Sequence, residues 1–329
     1  MDRAAPGPRS VSVVIPNRDG RLRLDACLRS VAAQTLPGLE VIVVDNGSRD
    51  GSIELLAERH ADVRVLGSAS NRGFAAAVNA GAAAARGEAL LLLNNDVELD
   101  AACVESLLRG LDRHPRAAAV CARLLRADDE RVLDGAGDAL TRSLKAFRRG
   151  DGEAADGRFL TEEEVFSAPG TVALWRASAF RRLGGFDEAF FAYYEDVDLG
   201  LRARLHGYEF WYVPSAVARH VRGATSASRR REFDSYWAVR NRLAMIARAI
   251  PRGWLVRDAH LIVLGELASL AAATVRGDLR HVLRAYAHTI ESSPRLLRDR
   301  RAILAGATAG WRDVRLRSDR SFPPVRRRR

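Results

Sequence analysis

The chain has 329 residues, 47% hydrophobic and 28% charged, so it can bury a large core and is no disordered chain. Cys27, Cys103 and Cys121 are too few and too scattered for a disulfide framework or a CxxC zinc site, and a reducing compartment is expected. The net charge of +11 is uneven: residues 1–220 carry −4 and residues 221–329 carry +15, ending in Arg326-Arg-Arg-Arg329, which points the C-terminal third towards an anionic membrane surface or a nucleic acid.

Met1 to Pro8 lacks the apolar core of a secretory signal. Val11–Ile15 reads as a buried strand closed by Pro16, and Leu24, Leu28 and Val31 give Arg21–Gln34 a helical face. Glu40–Asp45 is a second strand, and Asp50 with Glu54 marks a helix entry. Val63–Leu66 is a third strand, Phe74–Arg86 an alanine-rich helix and Ala89–Leu93 a fourth strand. Apolar strands alternating with helices predict a mostly parallel α/β sheet covered on both faces, with ligands beyond its carboxyl ends. Residues 128–164 read as a charged loop or insertion. Thr171–Trp175 restores order, and from about Phe233 the pattern is helical. The longest apolar run, Leu261–Val275, is broken by Glu266 and falls short of the ~18 residues of a membrane span.

Four places carry candidate chemistry. Asn94-Asn95-Asp96 follows a buried strand and suits either a hard cation beside substrate phosphates or a helix N-cap near Asp100. Glu195, Asp196 and Asp198 follow an aromatic run and open a helix whose buried face is Val197, Leu201 and Leu205. They suit a general base or a negatively charged first turn. His220 ends a strand, as a metal ligand or a plain structural residue. Asn71-Arg72-Gly73-Phe74 offers backbone amides to a phosphate or ribose, though an arginine-glycine turn decides nothing alone.

Taken in order, Val11–Pro16, Cys27–Ser30, Val43–Ser48, Asn71–Phe74, Leu93–Asp96, Gly184–Glu188, Phe191–Arg202 and His220 resemble the family 2 inverting glycosyltransferases of GT-A fold, in particular their rhamnosyltransferase-like branch. The resemblance covers about residues 11–225. It implies that Pro16 and Asp45 line a base and ribose pocket, that Asn71, Arg72, Gly73, Asn94 and Asn95 help hold the nucleotide sugar, and that Asp96 and His220 bind a divalent cation, Mg²⁺ or Mn²⁺. Asn94 stands where the family's metal motif carries its first acid. Asp196 would be the catalytic base and Glu195 its neighbour at the acceptor site.

The implied donor is a nucleotide sugar, dTDP-rhamnose or a UDP-sugar. The implied acceptor is a glycan or a polyprenyl-diphosphate-linked chain. The expected organisation is a flexible N-terminus over 1–10, a catalytic domain over 11–225, basic helices over 226–310 and a disordered arginine-rich tail over 311–329. The basic helices suit either peripheral contact with an anionic membrane from the cytoplasm or plain packing on the catalytic domain. Nucleic-acid binding is the competing class, but the chain carries no motif of a known nucleic-acid module, and no nucleic-acid partner is expected.

Overall fold

The computed structural model describes residues 10–221 and 227–318. The expected flexible N-terminus, the boundary near 225 and the final arginines lie outside those residues. The elements run β1 (Val11–Asn17), α1 (Arg21–Ala32), β2 (Glu40–Asp45), α2 (Ser52–Arg59), β3 (Arg64–Gly67), α3 (Phe74–Ala84), β4 (Ala89–Leu93), β5 (Val97–Leu99), α4 (Cys103–Arg113) and β6 (Ala117–Arg126). They continue with β7 (Leu133–Gly135), β8 (Asp138–Leu140), β9 (Ala146–Arg148), β10 (Glu163–Glu164), β11 (Val172–Arg176), α5 (Ala177–Arg182) and a 3-10 turn at Glu188–Phe190. Then come α6 (Glu195–Leu205), β12 (Glu209–His220), α7 (Ala227–Ala249), α8 (Arg252–Arg257), α9 (Ala259–Arg276), α10 (Leu279–Glu291), α11 (Ser293–Ala305) and α12 (Trp311–Leu316).

The described chain divides into two compact units. The first holds the large sheet with α1–α5; the second holds Ala139–Phe147, Ala192–Gly207 and the helices from α7 onward. The main sheet has the order β10-β12-β6-β11-β4-β1-β2-β3, with β5 and β7 added on β12 and β6. Its β4-β1-β2-β3 half is parallel, as the strand–helix alternation requires. Beyond β4 the sheet is mixed rather than mostly parallel, because β11 enters antiparallel to both β4 and β6.

Both faces of the parallel half are covered. Val11, Val13 and Ile15 join Leu24, Cys27, Leu28 and Val31 of α1 in one core. On the opposite face Gly81 of α3 sits so close to Val14 that a Cβ there would fall 2.3 Å from it. All five residues of β4 are fully buried, each leucine being worth roughly 1.5–3 kcal/mol of burial.

One sequence expectation is corrected. Residues 128–164 are no plain loop: β7–β10 run through them, and Asp134 lies there wholly buried. Of the tail only 311–318 are described; they hold α12, whose Arg315 makes a bidentate pair with buried Asp258, both contacts 2.6 Å, and the rest lies outside the described residues.

Candidate active site

In the first unit the polar rim starts at β2. Asp45 is buried, and its oxygens accept from Asn17 Nδ2 at 3.2 Å, Gly47 N at 3.2 Å, Ser48 N at 3.0 Å and the Ser48 hydroxyl. The carboxylate therefore shapes the 46–48 turn. Asn17 Oδ1 in turn accepts from Asn95 Nδ2 at 2.6 Å, which ties β1 to the segment after β4. Pro16 is paired in the β1–β2 ladder beside it.

Asn46 holds the second turn. Its Nδ2 donates to Asn71 Oδ1 and Gly73 O, both at 3.0 Å, and its Oδ1 accepts from Arg72 N at 2.8 Å. Gly73 has φ +91°, and a Cβ there would meet Phe191 within 2.6–2.9 Å, so this position requires glycine. The amides of Phe74 and Ala75 donate to Phe191 O, so the start of α3 is already committed to protein. Arg72 reaches Glu188 at 3.2 Å.

Asp96 and His220 meet through sheet register. β5 pairs antiparallel with β12, placing His220 opposite Val97, one residue after Asp96. His220 Nε2 stands 3.4 Å from Asp96 Oδ1. On its other side Nδ1 is 2.9 Å from Asp134 Oδ2, across 86 residues of sequence. Asp134 also accepts from Arg148 at 2.8 Å, and Arg148 donates on to Thr171 Oγ1 at 3.0 Å. Burial alone would depress the His220 pKa, but Asp134 and Asp96 on either side of the ring outweigh it and push it up to about 9.

These residues fit a divalent cation. Asn94 Oδ1 is buried without a hydrogen-bond partner, and Asp96 Oδ1, equally buried, has the His220 ring 3.4 Å away. With Asp134 accepting at Nδ1, an incoming cation would displace the Nε2 proton and meet the lone pair beside Asp96. Two oxygens and one imidazole nitrogen suit Mn²⁺ or Mg²⁺, whose remaining positions would fall to water and diphosphate. No group of three or more His, Cys, Asp or Glu ligands occurs among the described residues, so the protein's own share of such a shell is small.

Glu195 and Asp196 lie in the second unit, in the first turn of α6. The chain reaches them through left-handed backbone at Phe191, Tyr193 and Tyr194, with φ of 60°, 70° and 67°. Such strain costs about 1–3 kcal/mol per residue and persists only where the surroundings enforce it. Asn241 of α7 does so for the last part, giving Nδ2 to Ala192 O and Tyr193 O, both at 2.8 Å. Glu195 is buried, and Asp196, half-buried, accepts from Val197 N at 2.8 Å. Asp198, the third acid of the cluster, points inward instead: it is fully buried and paired with Arg202 at 2.8 Å, with Arg248 at 3.7 Å.

A family model described as glycosyl transferase family 2 matches residues 12–184. The chain belongs to glycosyl transferase family 2. Within it, the chain is 30% identical over 285 residues to an N-acetylglucosaminyl-diphospho-decaprenol L-rhamnosyltransferase of Mycobacterium tuberculosis, covering 78% of this chain and 90% of that one. A pre-mycofactocin glycosyltransferase of the same species is 34% identical over 221 residues, 66% of this chain and 44% of its own. Among solved structures, the mannosyltransferase PcManGT from Pyrobaculum calidifontis, in complex with GDP-Man and Mn²⁺, has a TM-score of 0.56 at 20% identity, covering 95% of this chain and 88% of its own. Staphylococcus aureus TarS has a TM-score of 0.55 at 17% identity, covering 93% and 90%. This family 2 glycosyltransferase thus has the GT-A fold with a helical C-terminal part and is rhamnosyltransferase-like.

Sequence reasoning had missed Asp134, Asn17, Asn46 and Asn241 as site residues. Asp134 was hidden in a stretch read as loop. Asn46 did stand in a quoted motif, Val43–Ser48, without a role attached, and Asn241 lay in the helical stretch after Phe233.

Proposed function

We propose that this chain is an inverting, cation-assisted glycosyltransferase that moves rhamnose from dTDP-rhamnose to a glycan or polyprenyl-diphosphate-linked acceptor in bacterial cell-surface polysaccharide synthesis. The carrying observation is Asp96 beside His220, with Asp134 behind the imidazole. The similarity to a decaprenol-linked rhamnosyltransferase over 90% of that relative's length supports the donor and the lipid-linked acceptor.

In this reading Asn17, Asp45 and Asn95 form the wall beside the base and ribose, and Asn46 fixes the 71–73 turn around the nucleotide sugar. Asp96 and His220, with Asn94 just before Asp96 in sequence, would hold the cation, which would supply positive charge towards a departing diphosphate. Asp196, in the first turn of α6, takes the proton of the acceptor hydroxyl as its oxygen attacks the anomeric carbon, and Glu195 shapes the acceptor side. A single displacement needs one base and inverts the carbon. The enzyme works from the cytoplasmic side, peripheral to the membrane that carries a polyprenyl acceptor.

Thermal shift against dTDP-rhamnose, UDP-hexoses, UDP-N-acetylhexosamines and UDP-galactofuranose, each with and without Mn²⁺, tests the donor, with duplex DNA at low salt as the opposing arm. Stabilisation by dTDP-rhamnose plus Mn²⁺ is expected. A shift with a UDP-sugar alone reassigns the donor, and one with DNA alone overturns the transferase. Asp196→Asn should keep the donor-induced shift and lose about 10²–10⁴-fold in transfer; an active variant removes Asp196 from the mechanism.

A further inference from the structure

Helix α9 is amphipathic in the sense opposite to a surface helix of a water-soluble domain. Its mid-helix polar positions face the protein, while His260 and Thr274 near the two ends are exposed: Lys145 Nζ donates to Gly265 O at 2.8 Å and Ser269 Oγ at 2.6 Å. Glu266 is gripped by both ends of the Arg242 guanidinium and by the Tyr286 hydroxyl. On the other side Val263, Leu264, Leu267 and Val275 are 56%, 51%, 57% and 88% exposed, and Ala271 continues their stripe. The spacing 263/264, 267, 271, 275 is one helical face about 18 Å long, and Val256 of the preceding α8 is 79% exposed as well.

Charge is sorted the same way. From residue 251 to 290 the arginines 252, 257, 276, 280 and 284 are all exposed, whereas Asp258 and Asp278 are buried and Glu266 is paired; Glu291, the last residue of α10, is the first exposed carboxylate. At the α8 end a cleft of about 400 Å³ is lined by Arg257, Trp311, Arg312 and Arg315. Arg315 is spent on Asp258; Arg257 and Arg312 have no carboxylate partner among the described residues.

We propose that the outer face of α8 and α9 docks on an anionic phospholipid bilayer, its apolar stripe lying in the interface and its arginines, with the cleft at 257 and 312, receiving headgroup phosphates. α9 is long and apolar enough, at mean hydropathy 1.3, to cross a membrane by length and composition, a possibility the broken apolar run had seemed to exclude. A spanning course would strip Glu266 of Arg242 and Tyr286 or drag those groups into lipid, at a cost an interfacial course avoids. A second copy of the chain fits poorly, since a two-fold contact would set the same arginines against one another. The inference deepens the lipid-linked acceptor of the proposed function, but the exposure and the charge sorting carry it.

The test is flotation of the full chain with vesicles of 30% phosphatidylglycerol in phosphatidylcholine, against phosphatidylcholine alone. The wild type should bind only the anionic vesicles and release as salt rises. The double variants L264E/L267E and R257Q/R312Q should each lower the partition coefficient at least about tenfold, with circular dichroism unchanged. Equal partition of wild type and L264E/L267E, or indifference to phosphatidylglycerol, overturns the proposal. So does a wild-type dimer in sedimentation equilibrium that L264E/L267E dissociates. Donor-induced thermal shift, measured on the same proteins, should be alike in all three. Its absence from the wild type would sink the donor reading and leave the membrane result standing.

Discussion

Asp134→Asn isolates the orientation of His220 from its presence. The Asp134 carboxylate is wholly buried and accepts from His220 Nδ1 at 2.9 Å and Arg148 at 2.8 Å. An asparagine of the same shape keeps one acceptor oxygen for two donors and turns its own NH₂ towards the other. Loss of such a carboxylate behind a metal-binding imidazole weakens metal affinity by 10–100-fold, or about 1.4–2.7 kcal/mol. The Arg148 side chain keeps partial contact with water, so the accompanying loss of fold stability should stay within about 1–3 kcal/mol. Free Mn²⁺ read by electron paramagnetic resonance in the presence of dTDP gives the affinity without any turnover. Arg148→Gln is the control: it removes the second partner of Asp134 but keeps the histidine contact, and should change Mn²⁺ affinity less than about threefold. If Asp134→Asn binds Mn²⁺ within threefold of wild type while its melting temperature is preserved, the orienting role is refuted. Equal losses in both variants would put the effect down to local charge instead.

Two further outcomes follow from the second unit. Asp198→Ala should destabilise the protein by about 1–3 kcal/mol in urea unfolding, because it removes a fully buried carboxylate that pairs with Arg202 at 2.8 Å and stands 3.7 Å from Arg248; an unchanged midpoint would refute a stabilising role for that carboxylate. Asn241→Leu removes both amide donors from the strained 192–193 carbonyls. It should cut kcat more than tenfold while leaving the donor-induced thermal shift intact, and an unchanged kcat would show that the turn holds itself.

Local features were legible in the residues. The β1-α1-β2-α2-β3-α3-β4 succession follows from buried apolar runs and helical spacing, which depend on neighbours a few positions away. Asp96 and His220 were named as a pair through the family resemblance, and the β5–β12 register brings them side by side. The sequence did not distinguish Asp198 from Glu195 and Asp196, since three acids in one helical turn look alike until the position of Arg202 and Arg248 is known.

Sequence alone determined the α/β alternation, the family and the uneven charge, because each is written in short-range pattern or in order along the chain. Tertiary structure alone decided that Asp134 stands behind His220, for that contact depends on β7 joining β6 and spans 86 residues. It also decided which way α9 faces. Periodicity defines two sides of a helix, but only the distant Lys145, Arg242 and Tyr286 turn the polar side inward and leave the leucines outside.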